Sequence, residues 1–212
     1  MDLFAPQLID YLNGLARHGD PVLERLEKQA AETRFPIIGP PAGQFCYLVA
    51  RMLRARRVFE LGSGFGYSTI WFAKAVRDNG GGEVYHTVWD DDLSRQARAN
   101  VEEAGLSDIV RFQVSEAVAA LRQTEGPFDL IFNDIDKHGY PDSIAVIKPK
   151  LRSGGALIID NMLWHGRAWD AGDTDPSTEG VRKVTRLIRD DPDFVSSLVP
   201  IRDGMITALK VH

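Results

Sequence analysis

A chain of 212 residues, with 44% hydrophobic and 26% charged residues, is long enough for one sizeable globular domain and too short for two ordinary ones. Its net charge of −5 leaves no basic excess to neutralise phosphates, which argues against nucleic-acid binding. No apolar run approaches the roughly 18 residues that a membrane span needs, and the single cysteine, Cys46, excludes an intrachain disulfide. Because the N-terminus also lacks a basic stretch followed by an apolar core, we expect a cytoplasmic protein that binds neither nucleic acid nor membranes.

The first 40 residues are predicted to form a helical segment, since apolar residues recur at helical spacing in 8–15 and again in 22–30. Prolines interrupt this pattern after residue 35, and a third helix is predicted to begin near Pro41. Its predicted apolar face consists of Phe45, Leu48, Val49, Met52 and Leu53.

From residue 57 onward, short apolar segments alternate with helix-length segments, which is the pattern of a parallel sheet covered by helices on both faces. Residues 197–202 and 205–211, separated by Asp203 and Gly204, predict a C-terminal antiparallel hairpin. The sequence therefore predicts one α/β domain over residues 1–212 with a Rossmann-like, doubly wound sheet. The predicted strands of the alternating part are Arg57–Leu61, Val84–Trp89, Val110–Val114, Phe128–Asn133 and Ala156–Ile159, with helices such as Leu93–Ala104 and Tyr140–Leu151 between them.

An acidic residue ends or follows each of these five strands, at Glu60, Asp90, Glu116, Asp134 and Asp160. Each acid taken alone is explained equally well as a helix cap or a turn residue. The carboxyl ends of parallel strands meet at one edge of the sheet, where ligands bind. Five gathered carboxylates repel one another unless cations compensate, so the pattern predicts a positively charged ligand at this edge.

Residues 60–68 form a glycine-rich turn between the first strand and a helix. A dinucleotide motif would need glycine at the position of Tyr67. The spacing of three alternating glycines, with Glu60 two residues before the first, instead resembles the first motif of class I methyltransferases that use S-adenosylmethionine (SAM). The resemblance implies that the helix N-terminus receives the carboxylate of SAM, while acids receive its ammonium and ribose hydroxyl groups. The residues that we assign to SAM on this basis are Glu60, Gly62, Ser63, Gly66, Ser68, Asp90 and Glu116.

Asp134, Asp160 and Asn161 offer three oxygen ligands from the ends of two predicted strands. Oxygen-only ligation favours magnesium, calcium or manganese over zinc or copper. Three protein ligands leave about half of an octahedron open, which two neighbouring substrate oxygens could occupy. The pattern predicts a divalent-cation site, for which magnesium is our first choice.

The chain also resembles the cation-dependent O-methyltransferases, the group that contains catechol and caffeoyl-CoA O-methyltransferases. The residues that carry the resemblance lie in the same order from about 35 to 212 and comprise segments 38–44, 60–68, 132–137, 160–166 and 200–204. The resemblance implies a seven-stranded sheet, a phenolic substrate and a homodimer. It implies that Lys137 is the general base, that Asp134 touches both metal and substrate, and that His165 contacts the acceptor. It also assigns SAM contacts to Ile38, Ala117 and Asp136, besides those named above.

Several positions allow two interpretations. The acid that usually binds the SAM ribose would fall at Val88, so Asp90 either replaces it or leaves the ribose without a carboxylate. Trp164 is either a pocket wall for an aromatic acceptor or a core residue. His165 and Lys137 would also be unremarkable as surface or structural residues.

Other functions remain compatible with this sequence. A metal-independent class I methyltransferase acting on another acceptor would keep the fold and lose the cation. A SAM-binding or dimerisation module without catalysis is made plausible by the altered ribose position. A nicotinamide oxidoreductase ranks last because of Tyr67.

Overall fold

The computed structural model describes residues 4–16 and 18–212. Residues 1–3 and 17, which belong to the predicted N-terminal helical segment, lie outside the described residues. The chain begins with α1 (Pro6–Leu15), α2 (Pro21–Thr33) and α3 (Gly39–Met52). The elements that follow are β1 (Arg57–Leu61), α4 (Tyr67–Asp78), β2 (Glu83–Val88), α5 (Asp91–Glu103), β3 (Val110–Val114), α6 (Ala117–Gln123), β4 (Phe128–Asn133), α7 (Tyr140–Lys150), β5 (Leu151–Ile159), α8 (Pro176–Asp190), β6 (Phe194–Val199) and β7 (Met205–Lys210). Two short 3₁₀ turns, Lys137–Gly139 and Trp164–Trp169, precede α7 and α8.

In the described part of the chain, seven strands form one sheet in the order β3-β2-β1-β4-β5-β7-β6. The first five strands are parallel, whereas β7 pairs antiparallel with both β5 and β6. The predicted Rossmann-like sheet with a C-terminal antiparallel hairpin is confirmed. Strand order reverses between β1 and β4, which is the place where open α/β sheets form a ligand crevice.

The two faces of the sheet bury separate apolar clusters, as a doubly wound sheet requires. One cluster packs α2 to α5 against the sheet through residues such as Leu23, Ile70 and Val101. The other packs α6 to α8 against the opposite face through residues such as Ile147 and Val184. With helices on both faces, the carboxyl edge of the parallel strands remains open for a ligand.

Several local predictions were wrong. Strand β5 begins at Leu151 and not at Ala156. The outer face of α3 leaves Leu48 and Met52 exposed, because small residues including Cys46 face the core instead, where α3 packs on α4. Strand β2 ends at Val88, and the next residue, Trp89, is 81% exposed. Strand β6 spans Phe194–Val199 rather than 197–202, because Pro200 lacks the N–H group that would continue the ladder.

Among residues 4–16 and 18–212, no helix is long and apolar enough to cross a membrane. The cytoplasmic location and the absence of nucleic-acid partners stay predictions.

Candidate active site

A cleft of about 1500 Å³ opens at the carboxyl edge of the sheet. It is lined by the glycine turn after β1, by the segments that follow β2, β3, β4 and β5, and by the turn between β6 and β7. Residues of α1 and of the segment before α3 also line it. Of the residues predicted for the site, the cleft is lined by Gly62, Glu116, Ala117, Asp134, Asp136, Lys137, Asp160, Asn161, Trp164 and His165.

The glycine turn is pressed closely against the loop that follows β4. Gly62 has φ +86°, and a Cβ added there would lie 2.5 Å from the carbonyl oxygen of Asp134. Only glycine combines this left-handed conformation with so close an approach. The contact brings the turn that begins the predicted cofactor site next to the predicted metal ligand Asp134.

Glu60 lies beneath this turn and is fully buried. Its Oε2 atom accepts a hydrogen bond of 2.6 Å from the Thr69 hydroxyl, while Oε1 is buried without a partner among the described residues. Burial raises the pKa of Glu60 from 4.5 to about 7, although the hydroxyls of Ser68, Thr69 and Ser63 oppose that rise. A cationic group placed at the unpartnered oxygen would favour the ionised carboxylate.

The loop after β4 joins a carboxylate to an amine. The Lys137 ammonium donates a hydrogen bond of 2.8 Å to Asp134 Oδ1 and another of 3.3 Å to the Ile135 carbonyl. Its Nζ also lies 5.3 Å from the ring centre of Tyr140 and 5.9 Å from that of Trp164. Only 13% of the Lys137 side chain is exposed, so this lysine is a cleft residue and not a solvated surface one.

The end of β5 contributes Asp160 and Asn161. Asp160 is 1% exposed, and its Oδ1 atom is buried without a partner in the residues described. Burial and then the charge of Asp134 raise the pKa of Asp160 above its ordinary value. The Tyr140 hydroxyl donates to the Asp160 carbonyl and fixes the strand end. Asn161 has φ +59°, a conformation that asparagine tolerates better than most residues.

These residues fit a divalent cation in their chemistry. Asp134, Asp160 and Asn161 line one cleft and provide hard oxygen atoms, and the unpartnered Asp160 oxygen is a group that a cation would satisfy. Within the described chain, no three His, Cys, Asp or Glu side chains gather as a metal-binding group. Asp134, Asp160 and Asn161 are not such a group, because Asn161 contributes an amide and not one of these four side chains.

The β6–β7 turn holds the segment after β5 in place. The Leu163 N–H donates 2.7 Å to the Asp203 carbonyl, and the His165 N–H donates 2.6 Å to the Asp203 carboxylate. Gly204 allows this contact, because a Cβ added there would lie 2.5 Å from the Leu163 side chain. Trp164 and His165 both have left-handed backbones, so the turn presents their side chains from a constrained loop.

The remaining predicted cofactor residues occupy different places. The Asp90 carboxylate caps α5 by accepting from the Leu93 N–H, and Asp90 does not line the cleft among the described residues. Glu116 caps α6 and also lines the cleft. Three of them are buried: Ile38, Ser63 and Ser68. The Ser63 hydroxyl oxygen accepts a hydrogen bond from the Thr87 N–H. Gly66 is the residue before α4.

The cleft residues to which the sequence interpretation gave no role include Arg202 and Asp203. An Arg202 nitrogen lies 4.0 Å from Asp160 Oδ2. Asp203 is 5% exposed. The sequence signals for them are the hairpin turn and the segment 200–204 of the family resemblance, neither of which gives these two residues a role. The hairpin signal does not predict that β7 pairs with β5 and thereby brings this turn to the Asp160 loop.

A doubly wound sheet that ends in an antiparallel hairpin, with a glycine turn at its switch point, is the architecture of a class I methyltransferase. A sequence model of the O-methyltransferase family matches residues 15–211. The chain belongs to the O-methyltransferase family, which confirms the predicted family and enzyme class.

Named relatives agree with this assignment. The catechol O-methyltransferase of Niastella koreensis is 31% identical over 184 residues, which cover 84% of this chain and 82% of that protein. The structure of the O-methyltransferase TomG from Streptomyces achromogenes, in complex with SAM, matches with a TM-score of 0.86 and 26% identity, covering 97% of this chain and 96% of that one. An O-methyltransferase from Bacillus cereus, in complex with SAH, matches with a TM-score of 0.86 and 29% identity, covering 95% and 96%.

Proposed function

We propose that this chain transfers a methyl group from SAM to one hydroxyl of a catechol-like or caffeoyl-like molecule, with a divalent cation held by Asp134, Asp160 and Asn161. The observation that carries the proposal is the buried Asp160 carboxylate, whose Oδ1 atom has no partner in the described chain, in the same cleft as the Asp134–Lys137 pair. A carboxylate buried in this way is costly unless a cation compensates it.

The cation site fits a substrate with two neighbouring oxygens. When bound, a divalent cation supplies Lewis-acid polarisation, which makes a phenolic hydroxyl easier to deprotonate. Magnesium suits the two carboxylates and the amide best, and calcium or manganese would be accepted by the same oxygen atoms.

Lys137 accepts the proton in this mechanism. Its Nζ lies 2.8 Å from Asp134 Oδ1, so a substrate hydroxyl bound beside Asp134 is within reach of the amine. Only 13% of its side chain is exposed, so the amine faces the cleft and not bulk solvent. The substrate oxygen forms a bond to the methyl carbon while the bond from that carbon to sulfur breaks, and Lys137 retains the proton.

The glycine turn and its surroundings position the methyl donor. Glu60 would hold the donor's ammonium group with its free oxygen, and the N-terminus of α4 would receive the donor's carboxylate. Ala117 and Asp136 line the same cleft. Holding the two reactants in this geometry supplies much of the rate, because the transfer needs an in-line approach.

Trp164 and His165 form the wall of the acceptor site. The Trp164 ring lies 5.9 Å from the Lys137 amine, so an aromatic acceptor whose hydroxyl approaches Lys137 would meet this ring. His165 is 68% exposed at its side chain, where it can contact substituents that project from the cleft.

The test is an acceptor screen with SAM, read by mass spectrometry as the gain of one methyl group. Catechols and caffeoyl compounds should be methylated with magnesium present, activity should vanish after chelation, and added magnesium should restore it. Asp160→Ala should be inactive, whereas Asp108→Asn, an exposed carboxyl at the opposite edge of the sheet, should retain activity. Activity that survives chelation would instead support a metal-independent methyltransferase.

We also propose a homodimer. Apolar side chains of α1 that do not line the cleft, Leu8 at 41% and Tyr11 at 62% exposure, are uncovered, and no residue of this helix is buried. A second copy could cover this surface. Light scattering after gel filtration should give twice the chain mass of 23.6 kDa, and a mass of one chain would contradict the proposal.

A further inference from the structure

A buried chain of three polar side chains ends at Glu60 and includes two residues to which no role has been given. Glu60 and His86 are register partners on neighbouring parallel strands, so their side chains lie on the same face of the sheet. Thr69, in the first turn of α4, lies above them. All three residues are 0% exposed.

The hydrogen bonds of this chain have a defined direction. Thr69 Oγ1 donates 2.6 Å to Glu60 Oε2 and lies 3.0 Å from His86 Nδ1. A hydroxyl has one proton, and when Glu60 is ionised, as binding of an ammonium group requires, Thr69 uses that proton on Glu60. His86 must therefore donate from Nδ1 to Thr69, which assigns the tautomer of the imidazole.

The imidazole is well suited to a fixed donor role. Burial, and to a lesser extent the charge of Arg98, lowers the pKa of His86 to about 3. His86 is therefore neutral at ordinary pH and keeps a single N–H group, which the geometry directs at Thr69.

The chain leaves Glu60 with one occupied and one free oxygen. Oε2 is held by Thr69, and Oε1 is buried without a partner in the part of the chain that the structure describes. The backbone of Glu60 is fixed as well, because its carbonyl accepts from the Thr87 hydroxyl at 2.5 Å. We propose that Thr69 and His86 are positioning residues for the methyl donor: they hold Glu60 so that Oε1 is available to the donor's ammonium group.

This inference rests on the proposed function, since it requires a donor with an amino-acid ammonium at the glycine turn. Thr69 and His86 do not line the cleft among the described residues, so they act through Glu60 alone. Their effect should therefore be confined to ligands that carry the ammonium group.

Calorimetry with two ligands tests whether Thr69 and His86 affect only ligands that carry the ammonium group. SAH carries the amino-acid group, whereas methylthioadenosine carries the same nucleoside and sulfur without it. Thr69→Val removes the hydroxyl at nearly constant shape, and Thr69→Ser retains it. Because a hydrogen bond to a charged group is lost, Thr69→Val should weaken SAH binding about tenfold or more, while its methylthioadenosine binding stays unchanged. Thr69→Ser should bind both ligands as the unsubstituted protein does.

A second pair of variants keeps the test independent of the folding of Thr69→Val. His86→Asn can present an N–H at the position of Nδ1, whereas His86→Leu cannot. His86→Leu should lose SAH affinity selectively, and His86→Asn should recover most of it. In turnover, the KM for SAM should rise in the impaired variants while the KM for the acceptor stays constant.

Three results would overturn the inference. Unchanged SAH affinity in Thr69→Val and His86→Leu would remove the positioning role. Equal loss of SAH and methylthioadenosine affinity would indicate a general structural role instead. A folded, unsubstituted protein that binds neither ligand would refute the proposed function itself, and the inference with it.

Discussion

Replacing Glu60 by glutamine separates the stability of the fold from the binding of the donor. The carboxyl is fully buried, and its pKa is raised to about 7 from 4.5. Between pH 4.5 and pH 7, Glu60 therefore keeps its proton in the folded protein, whereas it has lost the proton in the unfolded chain. Unlike a salt-bridged acid, this group makes the fold less stable as the pH rises from 4.5 towards 7, with the full cost present above 7.

The size of this cost follows from the pKa. One pKa unit corresponds to about 1.4 kcal/mol, so a rise from 4.5 to about 7 corresponds to about 3 kcal/mol. Glutamine has nearly the same shape and no charge. Glu60→Gln should therefore stabilise the ligand-free protein by up to about 3 kcal/mol at pH 8 and have little effect at pH 4.5.

Urea unfolding at the two pH values measures this difference. Glu102→Gln, on the exposed face of α5, is the control and should change stability equally at both. SAH affinity of Glu60→Gln should fall, because the ammonium loses its carboxylate. If the stability gain of Glu60→Gln over the unsubstituted protein is no larger at pH 8 than at pH 4.5, and if the variant binds SAH normally, the role given to Glu60 is refuted.

Four further substitutions test individual contacts. Lys137→Met should lower kcat by roughly 10²- to 10⁴-fold in a methyl-transfer assay while SAH affinity is kept; a change in acceptor KM alone would contradict its role as a base. Gly62→Ala should lose at least about 1–2 kcal/mol of stability because alanine is strained in a left-handed backbone. It should also abolish SAH binding, since the new Cβ meets the Asp134 carbonyl. Normal SAH binding by calorimetry would contradict this expectation. Asp90→Ala should lose about 1 kcal/mol as a helix cap without changing SAH affinity, and a tenfold weaker affinity would assign the ribose to Asp90. Burial raises the pKa of Asp129, but hydrogen bonds from the Arg152 side chain and two backbone N–H groups lower it more, so the pKa is depressed overall. Asp129→Asn should therefore lose about 1–3 kcal/mol at pH 7, and the loss should shrink as the pH falls below the ordinary carboxyl pKa; a constant difference would exclude the charge as its cause.

The central strands could be predicted because they are buried on both faces: β1 and β4 begin and end where their apolar runs do. The edge strand β3 also has the predicted bounds, although it is only partly buried. The beginning of β5 could not be found in this way. Its first residue, Leu151, pairs with Phe128 next to an irregularity in the register, and two glycines interrupt the apolar run. A sequence pattern detects burial, and it does not detect pairing across an irregular register.

The candidate site was predictable where acids follow strands, since parallel strand ends meet at one edge. The same rule does not distinguish an acid that lines the ligand cleft from an acid that caps the next helix. Asp90 and Asp134 follow their strands similarly, yet Asp90 caps α5 whereas Asp134 lines the cleft and pairs with Lys137. His86 was not recognised, because a histidine within an apolar strand carries no sign of the partner that it meets across the sheet.

The central claim is that Asp134, Asp160 and Asn161 together hold a divalent cation beside the donor. The most direct measurement is anomalous diffraction from crystals grown with manganese and SAH. The account predicts one anomalous peak at about 2 Å from an oxygen atom of each of the three side chains. Crystals with SAH bound but no manganese between these residues would contradict it.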